Sequence, residues 1–396
     1  MKTADFDYDL PASLIARRPL PRREDSRLLR LDRASGDLSH HFFRDLPHLL
    51  RPDDLLVLND TRVFPARLLG RRRPDGGKVE ALLLNRDDAA SWWALVKPGK
   101  KIKEGDRLVF APGRLEAVVE SYGKRGGGKR LLRFEYRGEW WGLLEEIGHT
   151  PLPPYVLRAR KEDAQLPSAV PLRARESILD LPEDRERYQT VYAGAERASV
   201  AAPTAGLHFS RTVLDELDRC GIERIFIQLN IGAGTFQPIK TDNIEDHPIH
   251  EEFFCLSAEA AERLNLARAQ GRRIVAVGTT VVRALETAAL VAAGKGEGIF
   301  RPETTRKGLE AAWEHRPQDT AQVLFVPLRG WTRLLIVPGF RFRAVNALLT
   351  NFHLPRSTLL VLVGAFAGVE TILRAYREAV QSQYRFYSYG DCMFIE

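Results

Sequence analysis

Two textures within one chain of 396 residues predict a mixed α/β (α+β) body carrying an inserted small all-β barrel. Buried-type strands such as Leu55–Leu58, Ile225–Ile231 and Arg272–Gly278 alternate with helical stretches on either side of a block that has little helical period. Inside that block, from about Ala66 to Pro154, short β-type runs recur between Gly- and Pro-rich turns: Val79–Leu84, Trp92–Val96, Arg107–Phe110, Leu115–Val119 and Leu131–Tyr136. The expected organisation is a discontinuous catalytic body of residues 1–65 and 155–396, with residues 66–154 as the insert.

Taken in order, Phe6–Leu29 holds Pro11, Pro19 and Pro21, so it should be extended, with at most a short helix at Ala12–Ala16. Ser26–Leu31 alternates like a strand and turns at Ser35-Gly36-Asp37. The strand Leu55–Leu58 ends in Asn59-Asp60-Thr61-Arg62, which suits either ligand contacts or an Asx-type turn. Trp140–Ile147 is the one helical patch of the β block, and Pro151–Tyr155 reads as its return linker. Arg158–Glu186 is charged and dotted with proline, which predicts a mobile loop. Helices should run from the caps Ser210 and Ser257 to the stops Gly221 and Gly271.

After the strand Arg272–Gly278, Thr279-Thr280 opens a helix that continues through Ala293. This βα turn aims amides and a helix N-terminus at an anion or carboxylate, and Arg283 stands one turn in. A capped helix with a surface arginine fits the same local pattern. Gly294–Gln318 is a polar insertion, Leu334–Pro338 is read as a strand, and Val369–Ser382 as a helix.

Composition narrows the class. Hydrophobic residues make up 44% and charged residues 28%, as in soluble globular proteins. The most apolar run, Thr358–Ala367, is too short to span a membrane, and the N-terminus lacks the apolar core of a secretory signal. Cys220, Cys255 and Cys392 form no CxxC pair, so a reducing cytoplasm is expected. The net charge of +7 is clustered at Arg67/Arg71/Arg72/Arg73, at Lys97/Lys100/Lys101/Lys103 and at Lys124/Arg125/Lys129/Arg130/Arg133. Each cluster alone could be a solvated face; three within one short region favour a nucleic-acid partner.

Leu229–Glu252, LNIGAGTFQPIKTDNIEDHPIHEE, concentrates the chemistry. An apolar strand empties into Gly232-Ala233-Gly234-Thr235-Phe236, where two glycines permit close backbone approach. Asp242, Glu245, Asp246, His247, His250, Glu251 and Glu252 follow. A dinucleotide fingerprint is not met, because Gln237 occupies the third glycine position and Pro238 follows it. A metal site is not expected: Pro248 separates His247 from His250, and neither HExxH nor HxxEH is present. Acid–base work or substrate hydrogen bonding suits these histidines better. Gly123–Arg130, GKRGGGKR, misses a P-loop because Arg130 replaces Ser/Thr and a strand follows; it reads as a basic hairpin tip.

Ten segments together resemble the S-adenosylmethionine:tRNA ribosyltransferase-isomerase family of queuosine synthesis. They are Phe6–Pro11, Asp25–Leu29, Leu58–Leu68, Tyr188–Ala193, Ala202–Phe209, Ile231–Pro238, His247–Glu252, Ala276–Glu286, Leu349–Thr358 and Tyr384–Ile395, spanning nearly the whole chain in the family's order. Departures are Asn346 for a usual Asp, Ile249 for Met, Cys392 for Ala, and longer regions at Arg158–Glu186 and Phe300–Val326.

The resemblance implies an α/β body with an inserted β-barrel. It implies transfer and isomerisation of the ribosyl unit of S-adenosylmethionine onto 7-aminomethyl-7-deazaguanine at the tRNA wobble position. Epoxyqueuosine-tRNA would form, with release of adenine and methionine. The donor is a substrate and no further cofactor is implied. The expected partner is the tRNA anticodon stem-loop; no membrane partner and a monomer are expected. Carried over onto matching motifs, the acid–base pool is His208, His250, Glu252 and His353, with Asp60 and Asp391 behind them. Donor contacts would be Gly232, Gly234, Thr235 and Phe236, with the methionine carboxylate at Thr279, Thr280 and Arg283. Phe209, Phe236 or Phe352 would face the sulfonium by cation–π contact or serve as core. The tRNA contacts would be Arg62, Arg67, Lys97, Lys100, Lys101, Lys103, Arg356 and Arg385. An S-adenosylmethionine-dependent methyltransferase and a non-catalytic tRNA-binding module are the competing readings.

Overall fold

Among the described residues of this computed structural model, the strands form a ten-stranded mixed sheet, a closed six-stranded barrel and one two-stranded pair. It describes residues 1–122, 128–163, 180–232, 234, 238–303 and 324–396. The chain forms two compact units. One comprises Met1–Thr61, Gln189–Gly194 and Ala202–Glu396, and the other Arg62–Tyr188 with Ala195–Ala201.

In the first unit four neighbouring strands run parallel: Glu223–Asn230, Leu55–Asn59, Ile274–Val277 and Ala347–Asn351. The last three are fully buried runs, as expected of strands covered on both faces. Glu252–Leu256, Leu328–Thr332 and Phe300–Pro302 extend one side antiparallel, and Cys392–Ile395, Arg27–Leu31 and Leu38–Phe42 extend the other. Because the four central strands are parallel, their C-terminal ends gather along one edge. Asn59-Asp60, Asn230-Ile231, Val277-Gly278 and Asn351-Phe352 all leave the sheet there, at the edge where open α/β sheets bind ligands.

Caps fix the helices. Ser210 accepts from Val213 N and starts Arg211–Arg219, and Ser257 accepts from Ala260 N and starts Ala258–Ala269. Thr279–Ala292 starts after Gly278, whose φ of +94° favours glycine. No single described helix is long and apolar enough to cross a membrane; Thr358–Ala367 and Val369–Gln381 are apolar enough together but bend by 114°.

In the second unit, period-two burial along Lys78–Arg86, Ser91–Lys97 and Lys129–Tyr136 turns one face of each strand into the barrel. Arg67–Arg73, Arg107–Ala111 and Leu115–Tyr122 complete the closure. The helix Trp140–Ile147 packs Trp140 on Trp92 and Phe134, with ring centroids 5.7 and 5.0 Å apart. The tip of the basic hairpin, residues 123–127, lies outside the described residues.

Two sequence expectations are corrected. The ends of the expected loop Arg158–Glu186 fall in helices, Pro154–Asp163 and Pro182–Arg187. They are joined by a buried bidentate ion pair from Arg160 to Asp184 at 2.6 and 2.9 Å; residues 164–179 lie outside the described set. Leu334–Pro338 is not a strand. The strand is Leu328–Thr332, and its Gly330 is required by crowding, since a Cβ there would sit 2.3 Å from Arg301 O.

Candidate active site

Two clefts open at the C-terminal edge of the parallel strands, and both are lined by Leu359. The first spans about 520 Å³, open solvent at its mouth included, and brings together Gly232, Gly234, His247, His250, Glu252 and Arg283. Leu334, Leu335, Ile336 and Leu362 also line it. The second spans about 360 Å³, open solvent at its mouth included, and gathers Thr204, Gly278, Thr279, Thr280, Asn351 and His353 with the apolar Ala202, Pro203, Ala205 and Ile231.

Glu252 and Arg283 form the electrostatic centre of the first cleft. Glu252 is 3% exposed and Arg283 8%, and Nη1 of Arg283 donates to Oε2 of Glu252. The other carboxylate oxygen accepts from Gly232 N at 3.2 Å, tying the acid to the Gly-rich strand end. Arg283 Nε donates to Leu334 O at 3.1 Å, while Nη2 is buried without a hydrogen-bond partner. Arg283 is therefore no surface residue. Its charge is already opposed by Glu252, and one donor nitrogen, Nη2, remains without a partner.

Gly234 lies under the imidazole of His250. A Cβ at Gly234 would sit 2.1 Å from Cδ2 of that ring, so Gly234→Ala must push His250 out of position. If His250 serves the reaction, a displacement of this size costs about a hundredfold in turnover. Steady-state kinetics of Gly234→Ala tests this, and an unaltered rate would dissociate His250 from the chemistry. Thr235 and Phe236 lie outside the described residues.

His208 and His353 are buried. His208 Nε2 meets Asn351 Nδ2 at 3.1 Å, and His353 Nε2 meets Thr350 Oγ1 at 2.8 Å. The Asn351 amide nitrogen also faces Tyr387 O at 3.2 Å and Asp391 O at 3.5 Å, and carbonyls only accept. The amide orientation is thereby set, Nε2 of His208 is the acceptor, and its ring proton sits on Nδ1. Burial lowers both imidazoles from 6.5 to about 3, helped at His208 by the charges of Arg385 and Arg23. Both are neutral hydrogen-bonding groups near pH 7 and poor general acids.

This burial has a consequence for stability. The unfolded chain takes up a proton at each histidine near 6.5, and the folded chain only near 3. Stability is full above about 6.5 and falls with pH below it, by about 2 kcal/mol per histidine at pH 5. Urea denaturation at pH 7.5 and 5.0 measures this. His353→Gln should lose roughly half of the pH effect, and an identical profile would show that His353 does not carry it.

Other expected site residues stand apart from the clefts. Asp391 is 1% exposed and accepts from Arg27 N at 2.9 Å and Arg385 N at 2.7 Å, a latch between strand and C-terminal turn; burial raises its pKa. Asp60 N donates to Ile227 O and Asp60 O accepts from Gly194 N. It lines neither cleft. Phe209 and Phe352 are core rather than cation–π faces: Phe209 packs on Phe43 and Tyr192, and Phe352 on Tyr376, Tyr384 and Phe386. Thr279 and Thr280 line the second cleft while Arg283 lines the first, so the expected carboxylate contacts are divided. Among the described residues, no group of three or more His, Cys, Asp or Glu side chains is placed to hold a metal ion.

Among the expected tRNA contacts, Arg67 is buried, pairing with Glu80 at 3.3 Å and donating to Leu152 O at 2.9 Å. Arg356 pairs with Asp7, and Arg385 donates to Arg18 O. Arg62 belongs to a short strand parallel to Arg197–Ser199. Lys97, Lys100, Lys101 and Lys103 are exposed. Asn351 and Leu359 were not singled out by sequence; Asn351 could have been, as the polar residue closing a buried strand.

A family model described as queuosine biosynthesis protein matches residues 3–395. S-adenosylmethionine:tRNA ribosyltransferase-isomerase of Symbiobacterium thermophilum is 47% identical over 395 residues, covering 100% of both chains. The protein of the same name from Halothermothrix orenii is 41% identical, again over 100% of both. A crystal structure of S-adenosylmethionine tRNA ribosyltransferase from Thermotoga maritima is 32% identical and covers 99% of this chain and 100% of that one, with a TM-score of 0.48. Matched from end to end by this model and by relatives of that length and identity, the chain belongs to the queuosine biosynthesis protein family.

Proposed function

We propose that this chain is an S-adenosylmethionine:tRNA ribosyltransferase-isomerase that moves and rearranges the ribosyl unit of the donor onto 7-aminomethyl-7-deazaguanine at the tRNA wobble position. Epoxyqueuosine-tRNA, adenine and methionine are the products. The observation that carries this reading is the pair of adjoining clefts at the C-terminal strand edge. One holds the Glu252–Arg283 pair beside His250, and the other lies at a helix start beside Asn351 and His353. A donor with an aromatic nucleoside at one end and an amino acid at the other matches that division.

The reaction requires removal of a proton beside the sulfonium, protonation of the departing adenine and deprotonation of the attacking amine. His250, exposed at the first cleft, is the candidate for proton transfer. Glu252, fixed by Gly232 N and Arg283, supplies a held negative charge toward which a sulfonium or developing positive charge is drawn. His208 and His353 orient neighbouring groups as neutral imidazoles. The unit of Met1–Thr61, Gln189–Gly194 and Ala202–Glu396 takes the donor, and the barrel within the other unit takes the tRNA backbone.

Incubation with tRNA and S-adenosylmethionine labelled separately in adenine and methyl group tests the reading. Adenine release with a donor-dependent mass gain on tRNA is expected. S-adenosylhomocysteine with a methyl gain would make the protein a methyltransferase instead. Bound tRNA with no mass gain would make it a binding module.

A further inference from the structure

Asn351 closes the buried strand Ala347–Asn351 and lines the second cleft. Its amide nitrogen is committed to His208 Nε2 and to the carbonyls of Tyr387 and Asp391. That commitment turns the amide oxygen away from those groups. Oδ1 has no hydrogen-bond partner although the side chain is only 2% exposed. A buried acceptor without a donor is costly, and here it belongs to a residue on a cleft wall.

The same cleft holds the start of the fourteen-residue helix Thr279–Ala292. Gly278 O, the first acceptor of that helix, is taken by Val281 N at 3.1 Å and Val282 N at 3.3 Å. The amides of Thr279 and Thr280 have no acceptor within the helix, and the positive end of its dipole faces the cleft. The same space therefore offers donors for an anion and, at Asn351 Oδ1, an unpartnered acceptor for a cationic or neutral N–H. An α-amino acid presents both complements on one carbon: a carboxylate and an ammonium. A purine edge also carries an acceptor and an amine, but it is neutral and gains little from a helix dipole.

We propose that the second cleft is the amino-acid subsite of the donor, with Asn351 Oδ1 accepting from the α-ammonium and the Thr279–Thr280 helix start receiving the α-carboxylate. This rests on S-adenosylmethionine being the donor and deepens that reading. It frees Arg283 from the carboxylate role and leaves it to hold Glu252. It also gives the Asn351–His208 bond a purpose, which is to fix the amide so that oxygen, not nitrogen, serves the ligand.

Calorimetric titration of the full-length protein with S-adenosylmethionine, its deaminated analogue and its decarboxylated analogue tests the subsite. On wild-type protein each analogue should bind at least about tenfold more weakly than the donor, the usual effect of one unpaired buried group. In Asn351→Leu, checked for folding by circular dichroism, the deaminated analogue should bind as well as the donor while the decarboxylated one stays weaker. The wild-type series stands alone if that variant fails to fold. A deaminated analogue bound as tightly as the donor by wild-type protein would overturn the subsite and leave the donor reading intact. A penalty undiminished in the folded variant would do the same, as would a variant that instead lost discrimination against a donor lacking the purine 6-amino group. Absence of any donor binding would sink both.

Discussion

Glu252→Ala is expected to abolish turnover and to cost about 3–5 kcal/mol of stability, because it strands the Arg283 guanidinium in a buried site. The two effects separate in a double variant. Glu252→Leu with Arg283→Met removes both charges and refills the space, which for buried pairs is commonly neutral or stabilising. Urea denaturation should then return most of the stability while turnover stays absent. A double variant as unstable as Glu252→Ala would show that the lost stability has another source, such as the Gly232 N contact. Near-normal turnover in Glu252→Ala would remove this stretch from the active site. His250→Ala is the clean companion, since an exposed ring can be removed from the cleft without stranding a buried charge.

That contrast shows what could be read from the sequence. Density of titratable groups after a Gly-rich strand end pointed to a candidate site, and the structure places Gly232, Gly234, His250 and Glu252 around one cleft. Caps at Ser210 and Ser257, and period-two burial in the barrel, follow from local sequence because each is decided within a few residues. The Glu252–Arg283 pair was not legible. Its members sit 31 residues apart on a strand and a helix, and only the sheet order brings them together. The Arg160–Asp184 pair escaped notice for the same reason, so a charged, proline-dotted stretch read as a loop. Leu334–Pro338 misled differently. Its apolar residues face a cleft rather than a sheet neighbour, and the carbonyl of Leu334 is spent on Arg283. The phenylalanines beside the motif histidines were ambiguous in sequence, and packing on other aromatic rings decides them as core.

Replacing Lys97, Lys100, Lys101 and Lys103 together with Ala should flatten the salt dependence of tRNA binding by up to about 3.6 in log–log slope, at about 0.9 per phosphate contact on duplex. The barrel carries many arginines, but most are already engaged. Arg72 pairs with Asp75 and Asp106, Arg73 with Glu116, Arg107 with Glu135 and Arg133 with Glu120. Arg130 is buried and donates to Gly99 O at 2.6 Å and Ile102 O at 3.3 Å. A phosphate competing for these groups must first break an internal contact. The lysines differ: Lys100, Lys101 and Lys103 are exposed, and Lys97 stands 70% exposed at 3.9 Å from Glu80. Their charge meets a polyanion at little cost, and their loss should change stability by no more than about 0.5 kcal/mol each. Filter binding of tRNA across a salt series, with calorimetry of the donor as control, reads the effect; donor affinity should be unchanged. An unaltered slope would take these lysines out of the interface and turn attention to Arg356 and Arg385 of the body. There the ion pair to Asp7 and the bond to Arg18 O would have to yield before a phosphate is held.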